Sequence, residues 1–208
     1  MKSCKVLPSA SLILLLAGSV FAAQMVQLKI GPVWPKDLLS QPASTAWDAS
    51  AAGGMSIDNK VAFGGVIDFL WNRHVSERSI ATHAYEIQED VKTFMFPLSG
   101  FVTITPLPDL IISPSIWGQV GLNTMYYSKK NTSADTVVSW LDEDGWYMGF
   151  IWKIAADAQF TIGENSSLFA GIEYQGSKNN KLGVKSNDVV VRRDMSGVGL
   201  RMGLKASY

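Results

Sequence analysis

The chain has a single cysteine, Cys4, placed ahead of its first apolar run, so the rest has neither a disulfide framework nor thiol chemistry. Imidazole is nearly as scarce, with only His74 and His83 in 208 residues, and no grouping of His, Cys, Asp and Glu has the spacing of a metal site. Net charge is absent too. The 18 basic side chains balance 18 acidic ones, which argues against a nucleic-acid partner, because phosphate binding draws on a basic excess. Charged residues make up 17% of the chain, below the share usual in soluble domains, while aromatics reach 11% and include 7 Trp. Missing as well is an unbroken apolar stretch of about 20 residues, the length a membrane-spanning helix needs. A membrane role therefore falls to strands.

What is present begins with a delivery signal. Lys2 and Lys5 give a positive start, residues 12–20 a short apolar run, and Val20-Phe21-Ala22 compact side chains where signal peptidase reads them. Residues 1–22 are therefore expected to be a cleaved signal peptide and residues 23–208 the mature domain. Cys4 precedes the apolar run, whereas a lipoprotein cysteine follows it, so no lipid attachment is expected there.

From Gln24 onward the dominant period is two, the spacing that sends successive side chains to opposite faces of a strand. Eight segments follow it, at 24–34, 46–56, 61–72, 91–105, 110–126, 146–160, 167–175 and 198–208. In the sixth, Trp146, Met148, Phe150, Trp152, Ile154 and Phe160 share one face, while Gly149, Lys153, Asp157 and Gln159 share the other. The last repeats the scheme, with Val198, Leu200, Met202 and Leu204 against Gly199, Arg201, Gly203 and Lys205. Pro97 and Pro114 mark weak points or bulges, since proline cannot donate to a ladder. Connections alternate in length. Tight turns are expected at 57–59, 106–109 and 163–165, and longer polar loops at 35–43, 75–90, 127–144 and 176–194.

This pattern predicts an all-β, antiparallel, up-and-down transmembrane β-barrel of about eight strands, with both termini at the short-turn end. Trp34, Trp47, Trp71, Phe94, Tyr126, Trp146 and Tyr174 fall near the long-loop ends on the apolar face, as an outer aromatic girdle would. Phe63, Phe160 and Tyr208 mark the other rim. The polar face carries Lys29, Asp48, Asp68, Lys153, Asp157, Glu173, Arg201 and Lys205, four charges of each sign, expected to pair inside a narrow lumen. Gly31, Gly64, Gly149, Gly171, Gly199 and Gly203 share that inner face. The opposite face has large aliphatics and rings with almost no charge, which suits lipid and would be a hazard in water.

The signal peptide, the alternation, the loop rhythm and the closing stretch from Gly197 to Tyr208 resemble the outer-membrane β-barrel superfamily that includes OmpX, OmpW and the barrel of OmpA. The resemblance implies location in the cell outer membrane, amid outer-membrane lipid and lipopolysaccharide. It also implies that the terminal Tyr208, with Leu204 and Met202 before it, is read by the barrel-assembly machinery; Phe is usual in that place.

For function the reading is of a non-enzymatic envelope protein without cofactor or metal, a monomer with a structural, loop-display or adhesion role. The alternative is a narrow pore or a small hydrophobic-compound channel. His74-Val75-Ser76 resembles the His-x-Ser element of lipid A deacylase barrels, with Glu77, Glu86 or Glu89 as the acid by order alone, although a three-residue match is cheap. Asp142, Glu143 and Asp144 read as a solvated loop edge. Lys178, Lys181, Lys185, Arg192 and Arg193, against Asp188 and Asp194, form a positive rim suited to lipopolysaccharide phosphates.

Overall fold

The computed structural model describes residues 24–36, 45–57, 60–80, 85–133, 142–183 and 191–207. The signal segment, His83, Lys185, Asp188 and Tyr208 lie outside the described residues, as do two residues of the turn expected at 57–59. The strands are β1 Met25–Pro35, β2 Ala46–Ile57, β3 Val61–Ile80, β4 Tyr85–Ile104, β5 Ile112–Thr132, β6 Glu143–Gly163, β7 Ser166–Lys181, β8 Arg192–Asp194 and β9 Gly197–Ser207. The short β8 prolongs the line of β9, and both pair with β7, so the wall is eight strands thick around its circumference.

Every neighbouring pair is antiparallel, and β1 joins β2 on one side and β9 on the other, which closes the sheet. The ladder can be followed right round: Met25, Gly54, Gly64, Phe101, Gln119, Lys153, Gln175, Gly197 and back to Pro35. The return falls at position 35 rather than 25, and that stagger tilts the strands as closure requires. No sheet edge is left within the barrel wall, so its backbone groups are satisfied without water, the condition for a lipid-embedded fold.

Alternation sets the faces. Along β6, Trp146, Met148, Phe150, Trp152 and Ile154 are exposed while Tyr147, Ile151, Lys153 and Ala155 are buried. The exterior is therefore a belt of Leu, Ile, Val, Phe and Trp, with Leu28, Ile67, Val120, Ile172 and Met202 each more than half exposed. A charge on such a surface near mid-membrane would cost about 2–4 kcal/mol, and none is found among these positions.

Several expectations need correction. Strands β3 to β7 run well past the apolar belt, so most of the loop expected at 75–90 is strand and the loops expected at 127–144 and 176–194 are strand at both ends, because β-pairing continues after the apolar alternation ends. Of the weak points or bulges expected at the two prolines, no bulge forms, and a gap in pairing coincides with Pro97 alone. Pro114 pairs in register with Ala158, and at Pro97 the β3–β4 ladder omits the pairs between Ile67–Leu98 and Leu70–Met95 without changing register.

The lumen is also less polar than expected. One apolar cluster of Met25, Ala52, Ala62, Val66, Phe101, Trp117 and Ala155 fills its short-turn half. A second, including Val33, Leu70, Met95, Met125, Tyr147, Ile151 and Met195, fills the long-loop half. The charges lie between. On β1 the inward order is Met25, Lys29, Val33; on β3 it is Val66, Asp68, Leu70; on β6 it is Ala155, Lys153, Ile151.

Candidate functional site

The charged layer is built from inward positions on six strands, β1, β2, β3, β6, β7 and β9, that only barrel closure brings together. Lys29 Nζ donates to Asp48 Oδ2 at 2.7 Å and to Glu173 Oε2 at 3.1 Å, across 144 residues of sequence. Lys153 Nζ donates to the same Asp48 oxygen at 2.6 Å and lies 3.3 Å from Asp68 Oδ1. On the far side Arg201 Nε is 3.2 Å from Asp157 Oδ1, and its guanidinium sits 5.0 Å over the Trp117 ring and 5.1 Å over Phe169. A fixed, pairwise arrangement of this kind suits closure of the lumen, since buried charges are tolerated only when partnered.

Seven of the eight charged residues singled out in the sequence thus share one layer. Lys205 does not. It lies at the short-turn end, in a polar cup of about 290 Å³ whose lining includes Thr105, Ser113, Gln159 and Ser167. Sequence reasoning missed Gln119, whose Nε2 donates to Asp68 Oδ2 at 2.5 Å, and Trp117, which stacks on Phe101 with centroids 4.1 Å apart. Their odd numbering on β5, opposite in parity to Ile116 and Val120, is the signal that marks both as inward.

At the long-loop mouth the chain folds charge over the apolar plug. Glu143 accepts from the Tyr147 hydroxyl at 2.6 Å and from Arg193 Nη2 at 2.5 Å, and Arg193 covers the Tyr127 ring at 4.1 Å. Lys181 Nζ stands 6.0 Å from the Tyr147 ring. Of the positive rim, Arg193 and Lys181 therefore turn into the mouth, because odd positions on these strands face inward, and Lys178 and Arg192 are left outside.

The aromatic girdle is a slanted row. Trp47, Trp71, Phe94, Tyr126 and Trp146 are successive cross-strand partners on β2 to β6. Trp34 and Tyr174 flank Val198 on the other side of the barrel. Hydrogen-bonded partners follow the stagger, so the row climbs along the axis instead of lying level. Phe63 and Phe160 are exposed at the opposite rim.

His74 and Ser76 share the inward face of β3 above the girdle, and Ser76 pairs across with Glu89. Glu89 is engaged by Lys129 at 2.8 Å, and the buried His74 Nε2 has no hydrogen-bond partner among the described residues. Glu77 lies on the other face, and the Glu86 side chain is outside the described set. Asp142 accepts from the Asn131 amide at 2.7 Å, and among the described residues no group of acids, His and Cys is placed to hold a metal ion.

No protein-family model and no curated protein matches the chain. Solved structures do. The Neisserial surface protein A, NspA, is 13% identical with a TM-score of 0.52, over 88% of this chain and 96% of that one. A major outer membrane protein of Thermus thermophilus is 8% identical at a TM-score of 0.47, over 88% and 99%. Ail, the attachment invasion locus protein of Yersinia pestis, is 14% identical at 0.45, over 88% and 97%. The likeness to NspA concerns the fold, and it agrees with the closed ladder and the lipid-suited exterior: this chain is an eight-stranded antiparallel barrel of the bacterial outer-membrane type.

Proposed function

We propose that the protein is a non-enzymatic display barrel of the outer membrane, one that holds a β-sheet above the outer leaflet as a contact surface for adhesion. The observation that carries this reading is the length of β3 to β6 beyond the girdle. β3 continues from Trp71 to Ile80, and β4 starts at Tyr85 ahead of Phe94. β5 runs on from Tyr126 to Thr132, paired with the start of β6 at Glu143. At about 3.3 Å per residue, the β3–β4 hairpin stands some 30 Å along the strand past the aromatic row. Its ladder is unbroken from Leu70–Met95 to Ile80–Tyr85.

Ladder bonds hold this sheet in shape, so a partner would meet a prepared surface and would not have to order a coil. Arg73, Val75 and Glu77 alternate outward along the β3 part of it. The plugged lumen weighs against the channel alternative, since two apolar clusters and the charged layer between them lie across it. The engagement of Glu89 by Lys129 weighs against a relay through His74 and Ser76.

The test is whole-cell adherence. Cells carrying the barrel are compared with cells in which residues 76–89 are replaced by a tight Gly-containing turn, with equal amounts of heat-shifted barrel in both. Loss of adherence to immobilised host-matrix proteins is expected in the shortened form, and unchanged adherence would remove the reading.

A further inference from the structure

On the lipid-facing wall, where β6, β7 and the β8–β9 line meet, lies a groove of about 470 Å³. It forms because Gly176 has no side chain at an outward position: a Cβ there would strike the Trp152 indole, which lies across the gap. Trp152 and Tyr174 make its floor, with ring centroids 5.5 Å apart and planes tilted by 45°. Lys36 and Lys178 stand at its upper end, both exposed, with Asp194 paired across from Lys178. The Lys36 amide donates to Ser196 O at 2.8 Å, which fixes the end of β1 beside β9 and sets Lys36 over the groove.

The charges converge. The Asp194 carboxyl is held below its ordinary value: burial works upward, but hydrogen bonds from the Ser196 hydroxyl and amide, with Lys36 and Lys178, outweigh it. Among the described residues around the groove, Lys36, Lys178 and Arg192 are exposed and the half-buried Asp194 is the acid between them, with Asp144 exposed farther up β6. On the β3–β4 hairpin, Arg73 and Lys92 likewise stand on one carboxylate, Asp90, at 3.2 and 3.4 Å. The groove thus joins three features on one seam: an excess of positive charge at the membrane boundary, an aromatic floor of two tilted rings beneath it, and aliphatic wall below that.

We propose that this groove is a lipid A site, with a phosphate of the glucosamine disaccharide between Lys36 and Lys178, the sugar on the Trp152–Tyr174 floor and acyl chains running down the apolar wall. Charge-assisted hydrogen bonds from two ammonium groups suit a phosphate, and an aromatic platform suits a sugar ring better than a glycerol headgroup. The site rests on the reading that the long-loop end faces the outer leaflet. Asp194 repels the phosphate, which places it on the outer side of the two lysines, away from the carboxylate.

The mature barrel, refolded in detergent, is titrated with bis-phosphoryl lipid A, with its dephosphorylated form and with phosphatidylglycerol, and retained lipid is counted by native mass spectrometry. Bis-phosphoryl lipid A is expected to be retained best. Lys36→Gln with Lys178→Gln is expected to weaken retention about tenfold, as for loss of two charge-assisted contacts. Asp194→Asn strengthens it, and Arg73→Gln with Lys92→Gln leaves it unchanged. Equal retention by wild type and the Lys36/Lys178 variant overturns the site, as does equal retention of the dephosphorylated form or of phosphatidylglycerol. A heat-shifted band checks each variant's fold. Orientation is checked separately, by protease access to the β3–β4 hairpin on whole cells, so its failure is distinguishable from failure of the site.

Discussion

Lys153 shows what a single inward side chain does in this barrel. Its ammonium is shared by Asp48 and Asp68, and all three groups are nearly inaccessible. Lys153→Met keeps the volume but leaves both carboxylates short of a partner, and breaking a buried pair from one side costs about 3–5 kcal/mol. The midpoint of urea unfolding in lipid vesicles should fall accordingly. Adding Asp48→Leu to that variant removes one stranded carboxylate, so the double variant should lose less than the single one; an unmoved midpoint for Lys153→Met would contradict the network as drawn. Inwardness of these residues was legible from parity alone. Partnership was not, because parity gives the face and says nothing of depth. Lys205 has the same parity as Arg201, yet four residues along β9 take it out of the layer and into the polar cup.

At the scale of elements, the β3–β4 hairpin beyond the girdle depends on pairing and surface charge in place of lipid. Arg73 donates to Asp90 through Nε at 3.3 Å and Nη2 at 3.2 Å, and Lys92 stands on the same carboxylate. Burial would raise the Asp90 carboxyl, but the Arg73 hydrogen bonds and charge, with Lys92, outweigh it and hold it below the ordinary carboxylate value. A carboxyl depressed in the folded state contributes stability that is present above its unfolded value of 3.8 and disappears as pH falls through the lower folded value. Amide exchange along 73–80 should therefore quicken on acidification below about pH 4, and Asp90→Asn should abolish that acid dependence while leaving exchange in the membrane-spanning strands untouched. Within the wall, Gly203 sits where a Cβ would press on the Leu28 carbonyl and the Phe169 ring. Gly203→Val is expected to lower the fraction of heat-shifted barrel on refolding. The existence and order of the eight wall strands could be read from the chain, and their outer ends could not. Apolar alternation reports contact with lipid, so it stops at Trp71 and Phe94, whereas the ladder does not.

For the whole molecule, the expectation of a polar interior gave way to three zones, and that changes what the barrel can pass. Met95, Met125 and Leu70 occupy inward positions on strands where the outward face is also apolar, so nothing in the two-residue period separates plug from wall. The result is three closures in series. Above, the apolar cluster is capped by the Glu143–Arg193 pair; in the middle, Lys29 and Lys153 tie β1 and β6 across the lumen to Asp48 on β2; below, Phe101 and Trp117 stack within the short-turn cluster. Ions need a continuous hydrated path, and any one closure interrupts it. Planar-bilayer recordings of the wild type should therefore show no steady ionic steps. Met95→Ala with Met125→Ala empties part of the upper closure, Lys153→Met with Asp48→Leu takes charge from the middle one, and both leave the short-turn cluster in place, so each pair should stay silent, as should the four changes together. Only with Phe101→Ala and Trp117→Ala added, in a barrel that still shows its heat-shifted band, is conduction expected. Steady conductance in the wild type, or in either pair alone, would mean that the layers do not close the lumen independently.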